Sequence, residues 1–328
     1  MGICDLIKTH IIISFIESYK NFAFQFYFMD LEKYNLQIEA GRIASWIRDY
    51  ARNIVKVDAS LLECTELIES KIQEMGAKIA FPNDMSINSM AAHYSALLND
   101  TTKFQENDLI KVDIGVHIQG HVVDTALTIK LGNNNKELVK ASEDALKEAI
   151  KLATPGRKLK EIGEVINNAI ENAGFNSIKN LSGHGIGHYL IHTKPTVPNF
   201  NNKDNTELYE GQIIAIEPFA STGVGLVTEG KPSEIYALLV KKQVRDQTAR
   251  NVLSFIEKEY NTLPFAKRWL AKHFNTLQLG LALNNLEREG IIKQYAQLPE
   301  KSKGLVSQAE HTILVLDKPK VLTEENED

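Results

Sequence analysis

Cysteine is nearly absent: the 328 residues hold two, Cys4 and Cys64. That excludes a disulfide framework and a thiolate metal site, and it makes a reducing, cytoplasmic setting the default. An excess of basic charge is missing too. The net charge of −5 argues against a protein built to grip nucleic-acid backbones. No HExxH, P-loop or GxGxxG occurs. Low-complexity segments are absent, and the only internal recurrence is a pattern of two helices followed by strands. An uninterrupted apolar run of membrane-spanning length is also lacking. The stretch Ile11–Phe28 comes nearest, but Glu17 and Lys20 break it and no small-residue cleavage pattern follows. Met29-Asp30 then opens a helical pattern. Residues 1–28 therefore read as a dispensable leader from a start codon assigned too early, with a membrane-attached or partner-binding arm as the alternative.

What is present is an ordinary soluble composition, 43% hydrophobic and 24% charged, on a chain long enough for one large domain or two smaller ones. Apolar residues from Leu36 to Ile54 recur with a 3.6-residue period and predict an amphipathic helix. Ser60 with Glu63 is a capping-box signature for a second helix that stops at Gly76. Short extended pieces follow around Lys78–Phe81 and Ser86–Asn88. Lys136–Leu152 and Leu159–Ile170 predict two more helices. A Gly- and His-rich stretch, LSGHGIGHYLIH, reads as a loop that leads into a polar irregular run to Asn205. Gln212–Glu217 is a short strand. From Ser233 to about Leu298 helical patterns dominate, and strand texture returns near Gly304. The helical block thus looks inserted between two strands of one domain.

The chemistry centres on KVDIGVHIQGHVVDTALTI, Lys111 to Ile129, which alternates like a β-hairpin around Gln119-Gly120. A two-residue turn there pairs Ile118 with His121, Asp113 with Ala126 and Asp124 with Gly115. Both aspartates then share a face as diagonal neighbours, roughly 7–8 Å apart at Cα. Carboxylates that close repel unless a proton or cation lies between them. Taken alone, the pair fits a surface hairpin as well as it fits a metal site. Glu217 after QIIAI and Glu310 in LVSQAEHTILVL also sit in apolar strand surroundings, where a lone buried carboxylate is costly. With His184 they make an oxygen-rich set suited to divalent cations, one able to hold a pair about 3.5–4 Å apart.

Five segments, AFPNDMSINSMAAHYS, VDIGVHIQGHVVDTALTI, LSGHGIGHYLIH, AIEPFASTG and LVSQAEHTILV, resemble in this order the signature segments of methionine aminopeptidases. Within that family the chain is similar to the type II class in its archaeal form. The block of Ser233 to about Ser302 corresponds to the type II insertion, and His192 follows His184 by eight residues. The resemblance implies a pita-bread α+β fold, an antiparallel sheet backed by helices, built from residues 29–232 and 303–328 around the helical insertion at 233–302. It implies Asp113, Asp124, His184, Glu217 and Glu310 as ligands of two divalent ions (cobalt, manganese, iron or zinc) that hold a water or hydroxide between them. Glu217 would shuttle the proton, His93 would bond the scissile amide near its nitrogen, and His192 would meet the substrate carbonyl. Phe81 and Phe219 match positions that line the methionine pocket. The wording GHGIG after Ser182 is also seen in type I enzymes; it leaves His184 in place.

The activity so implied is removal of the N-terminal methionine from nascent proteins when the next residue is small. It brings with it a monomeric, cytoplasmic protein, a transient ribosome contact, and neither membrane attachment nor nucleic-acid specificity. Two alternatives differ in class. Proline-directed aminopeptidases share this fold and metal set but usually carry a separate N-terminal domain. A non-catalytic, ribosome-binding relative would have lost metal ligands, whereas all five positions here are filled by competent residues.

Overall fold

The computed structural model describes residues 34–324. The leader expected at 1–28, and the opening of a helical pattern at Met29, lie outside the described residues. Helix α1 (Asn35–Ile54) gathers Ala40, Ile43, Ala44, Ile47 and Ala51 into one buried stripe. Helix α2 (Leu61–Glu74) begins at Ser60, whose hydroxyl accepts the Glu63 amide at 3.3 Å. Then come β1 (Lys78–Ile79), β2 (Asp84–Ile87), β3 (Met90–Ala92), β4 (Leu109–Ile118) and β5 (His121–Lys130). Strand β5 pairs with the whole of β4, while β1 and β2 pair with successive stretches of β4's other edge. The two helices close one face of this sheet, joining Ile47 and Ile68 to Ile110 and Val112 in a single core. Each such side chain, fully buried, contributes about 1.5–3 kcal/mol.

The pattern then recurs. Helices α3 (Lys136–Lys151) and α4 (Leu159–Asn172) precede β6 (Asn176–Ser177), β7 (Ser182–Gly187), β8 (Leu190–Pro198), β9 (Ile213–Ile216) and β10 (Phe219–Ser221). The helices bury Leu146, Ile162 and Ile166 against Ile214 and Ile313.

The stretch expected as a Gly-rich loop is instead a β-hairpin, β7 paired with β8, and the irregular run expected after it begins only past Pro198. Its glycines answer to crowding rather than to turning. A Cβ on Gly183 would lie 2.2 Å from the Ala215 carbonyl oxygen, and one on Gly185 would lie 2.2 Å from that of Lys194. Glycine inside a strand marks such close backbone approach.

The block from Pro232 onward carries three helical segments and its own antiparallel sheet. In chain order it comprises β11 (Pro232–Leu238), α5 (Gln247–Glu259), β12 (Phe265–Ala266), α6 (Lys267–Leu270), α7 (Thr276–Arg288) and β13 (Ile292–Ala296). The sheet runs β12-β11-β13. Its central strand β11 escaped the sequence reading because Ile235–Leu238 is a continuous apolar run, buried on both faces, with no alternation to separate strand from helix. A core of Leu253, Phe265, Leu279 and Leu283 lies within the block. The block is pinned to α2 by Arg268, which donates through both terminal nitrogens to the buried Glu69 carboxylate, and by Trp269 Nε1, which donates to it at 2.9 Å. The same carboxylate accepts the Asn83 amide at 3.4 Å.

After β14 (Leu298–Pro299) the chain adds β15 (Val306–Gln308), β16 (His311–Leu314) and β17 (Lys320–Val321). Strand β16 enters a five-stranded sheet of order β17-β16-β9-β7-β8, and β15 joins β10 and β6. Between β15 and β16, Glu310 forms an isolated bridge to Ala126 on β5. Threonine hydroxyls extend the seam: Thr312 donates to Asp124 O and accepts from Asp124 N, both at 2.7 Å, while Thr128 does the same with Gln308 at 2.7 and 2.8 Å. Among the described residues no helix is long and apolar enough to cross a membrane.

Candidate metal centre and cleft

The hairpin of β4 and β5 turns on Gln119 and Gly120, with φ of 51° and 86°. Positive φ at both central residues is the two-residue turn that matches strand twist. The register follows: Ile118 faces His121, Asp113 faces Ala126 and Asp124 faces Gly115. Both aspartates line a cavity of about 370 Å³. His93, His184, His192, Glu217, Glu310, Phe81 and Phe219 line it as well, so every residue singled out in the sequence comes to one cleft.

Ligand atoms of Asp124, His184 and Glu310 lie within 4.8 Å of one another. His184 Nε2 stands 3.5 Å from Asp124 Oδ2 and 3.7 Å from Glu217 Oε1. Its Nδ1 lies 3.2 Å from the Gly185 carbonyl. A carbonyl can only accept, so Nδ1 carries the proton and Nε2 presents its lone pair to the carboxylates. Burial pushes the His184 imidazole down to about 4, which keeps it neutral and fit to ligate. Gln308 donates to Asp113 Oδ2 at 3.1 Å and to Glu310 Oε2 at 3.4 Å, tying the first hairpin to the last strands.

The four carboxylates are strained by each other's company. Burial, reinforced by neighbouring carboxylates, raises Asp113, Glu217 and Glu310 well above the usual carboxylate range. Burial brings Asp124 to about 7. Asp113 Oδ1, Asp124 Oδ1 and Glu310 Oε1 are buried without a hydrogen-bond partner. Oxygens in that condition, beside a neutral imidazole, fit a divalent cation. The donor set therefore suits the metals that the resemblance implies.

His93 occupies the left-handed region at φ 59°. Its Nδ1 donates to the Ala296 carbonyl at 3.1 Å, and its ring meets Tyr295 edge-on with centroids 5.1 Å apart. Both partners come from β13, so the inserted block fixes the orientation of this histidine. Ile235, Pro264 and Tyr295 of the block also line the cavity. The His192 ring sits 4.5 Å from that of His184, and burial holds its imidazole well below the ordinary value.

Three contributors escaped the sequence reading. Gln308 could have been found, since it precedes Glu310 by two residues in strand texture and falls on the same face. Tyr295 depends on how the block folds back. Asp84, buried on β2, lines the cavity directly across from Asp113, and its place depends on a strand pairing that no local pattern encodes.

Comparisons with known proteins agree with this geometry. Residues 36–259 match the pattern of Metallopeptidase family M24. A methionine aminopeptidase of Methanocaldococcus jannaschii is 43% identical over 289 residues, covering 88% of this chain and 97% of its own length. One from Pyrococcus horikoshii is 46% identical over 288 residues, again covering 88% and 97%. Among solved structures, a thermophilic Arx1 superposes with a TM-score of 0.79 at 16% identity, covering 89% of this chain and 90% of that one. At that identity the likeness speaks for the fold alone.

Proposed function

The chain belongs to metallopeptidase family M24 and, within it, to the methionine aminopeptidases of archaeal type II, and from that premise we infer that it is a metal-dependent hydrolase removing N-terminal methionine. The observation that carries this is the single cleft in which Asp124, His184 and Glu310 turn their ligand atoms on one another, with Asp113 and Glu217 lining the same space. In our reading Asp113, Asp124, His184, Glu217 and Glu310 would hold two divalent ions, whose chemistry when bound would be to activate a water and offset developing oxyanion charge. The donors are oxygen and imidazole, a set that takes cobalt, manganese, iron or zinc according to supply.

The chain's own residues then divide the work. Glu217, lining the cleft beside the metal-binding carboxylates, would take a proton from the attacking water and return it to the leaving amine. His93 is committed through Nδ1 to Ala296, so its Nε2 lone pair is free to accept the scissile amide N–H. His192 donates to the substrate carbonyl as negative charge develops. Phe81 and Phe219 wall the side-chain pocket, where aromatic faces suit a polarizable thioether. Nascent chains whose second residue is small are the substrates in this reading. It includes a monomeric enzyme acting in the cytoplasm, with a transient ribosome contact.

Hydrolysis of Met-Ala-Ser against Ala-Pro-Ala, with manganese or cobalt added, tests the reading. Release of methionine from the first peptide alone is expected. Cleavage of only the proline peptide would mean a proline-directed enzyme, and cleavage of neither would mean a non-catalytic relative.

A further inference from the structure

Strand β5, which carries Asp124, and the segment just before β16, which carries Glu310, belong to different sheets. Among the described residues their backbones bond only at Ala126 and Glu310, through two bonds of 3.3 and 3.0 Å. The spacing of the two carboxylates therefore leans on side chains. Alternation along β5 turns Thr125 away from the face that Asp124 occupies. On that far side Arg48 of α1 reaches both halves of the joint. Its Nη1 donates to Thr125 Oγ1 at 2.7 Å, to the Glu310 carbonyl at 3.4 Å and to His311 Nδ1 at 2.9 Å. Thr125 closes the triangle by donating its hydroxyl to the same Glu310 carbonyl at 2.7 Å.

This guanidinium is held differently from Arg268, which is matched by the Glu69 carboxylate. Arg48 bonds a hydroxyl, a carbonyl and an imidazole, none of which carries an opposite charge. Burial pulls it down to about 10 and Arg52 adds to that, against attraction from Glu324, Asp49 and Glu310. It stays protonated at neutral pH. A cation desolvated without an ion-pair partner costs stability. The carboxylates on the other side of the joint give it a use, and Glu310 feels its charge. We propose that Arg48 is a positioning residue for the metal centre: one guanidinium clamps the backs of both ligand-bearing segments and sets the gap between the Asp124 and Glu310 carboxylates. The inference rests on the metal-dependent reading and adds to it a residue that does not line the cleft.

The test compares wild type, Arg48→Met and Arg48→Lys as full chains, stripped with chelator and titrated with cobalt alone. Methionine fills space without bonds or charge, whereas lysine keeps the charge on a stem without the planar fork. Calorimetry reads affinity, and the visible absorption of bound cobalt reads the geometry of its ligands. In Arg48→Met, cobalt affinity should fall at least about tenfold, the lower end for a residue that orients a metal ligand. The absorption bands should shift, and kcat for Met-Ala-Ser should fall about tenfold with KM within a few-fold. Arg48→Lys should recover part of the affinity and of the spectrum. Thr125→Val cuts one arm of the clamp and serves if Arg48→Met fails to fold; a smaller shift of the same kind is expected from it. A merely structural arginine would lower the unfolding temperature and leave cobalt affinity and spectrum as in wild type. That result would overturn the proposal. Wild type that binds no cobalt would take down the metal reading itself, and this role with it. Equal binding and equal spectra in wild type and variants would sink only the role of Arg48.

Discussion

The cleft is built from two hairpins that reach the same place by opposite means. The β4–β5 hairpin is regular: a two-residue turn, unbroken register from Leu109–Lys130 to Ile118–His121, and a shared apolar core with α1 and α2. The β7–β8 hairpin slips register twice, between His184 and Gly185 and again between Gly185 and Gly187. The first carries its carboxylates one on each strand of a regular ladder. The second carries its imidazole between glycines that exist because neighbouring backbones leave no room for a side chain. Regularity makes a ligand position tolerant of its surroundings; crowding makes it dependent on them.

The contrast can be broken at several points. Asp124→Asn should leave the first hairpin folded yet remove a donor, lowering metal content and cutting turnover by at least about a hundredfold, in the range of a lost catalytic contact. Elemental analysis beside steady-state kinetics checks it, and unchanged stoichiometry would undo the ligand assignment. Gly185→Ala should do its damage through the fold: one methyl driven onto the Lys194 carbonyl should cost about 1–3 kcal/mol in urea unfolding, with the site lost secondarily.

The pH response should separate the hairpins by sign. Asp124, raised to about 7 in the fold, contributes stability that is full below the ordinary carboxylate value and lost as pH climbs toward 7. His184, pushed down to about 4, contributes stability that is full above the ordinary imidazole value and lost as pH falls toward 4. In chelator-treated protein Asp124→Asn should therefore lift one falling slope between pH 4 and 7, by up to about 1.4 kcal/mol per pH unit for one proton. His184→Gln should remove a slope of the other sign. Parallel pH profiles for the two variants would contradict the assignment. The smallest effect is expected from Thr312→Val, which leaves both hairpins intact and cuts only the hydroxyl seam to Asp124; about 1 kcal/mol of thermal stability should go with it.

The same contrast explains what could be read from the chain alone. Helices α1 to α4 and the first hairpin announce themselves through periodicity and a turn pair, and the Asp113 and Asp124 register followed from counting residues across Gln119-Gly120. The second hairpin did not, because glycine signals both a loop and a crowded strand, and only the neighbouring carbonyls distinguish them. The central strand of the inserted block, β11, was hidden for a different reason: a segment apolar on both faces has no period. Asp84 and Tyr295 lay beyond reach because each depends on segments far apart in sequence, joined by pairings that local patterns do not encode. The family resemblance supplied Glu217 and Glu310 as partners of the hairpin where spacing could not.

The seam between Ala126 and Glu310 has a consequence in time as well as in space. Among the described residues, everything else that lines the cleft has been synthesised by Leu298, yet Glu310 and the strand that anchors it come after the whole inserted block. A copy of this protein still emerging from its own ribosome can form both hairpins and remain without its last carboxylate until residues 306–323 are free to pair. A truncation before Val306 should remove Glu310 from the cleft and, on the proposed ligand set, abolish turnover.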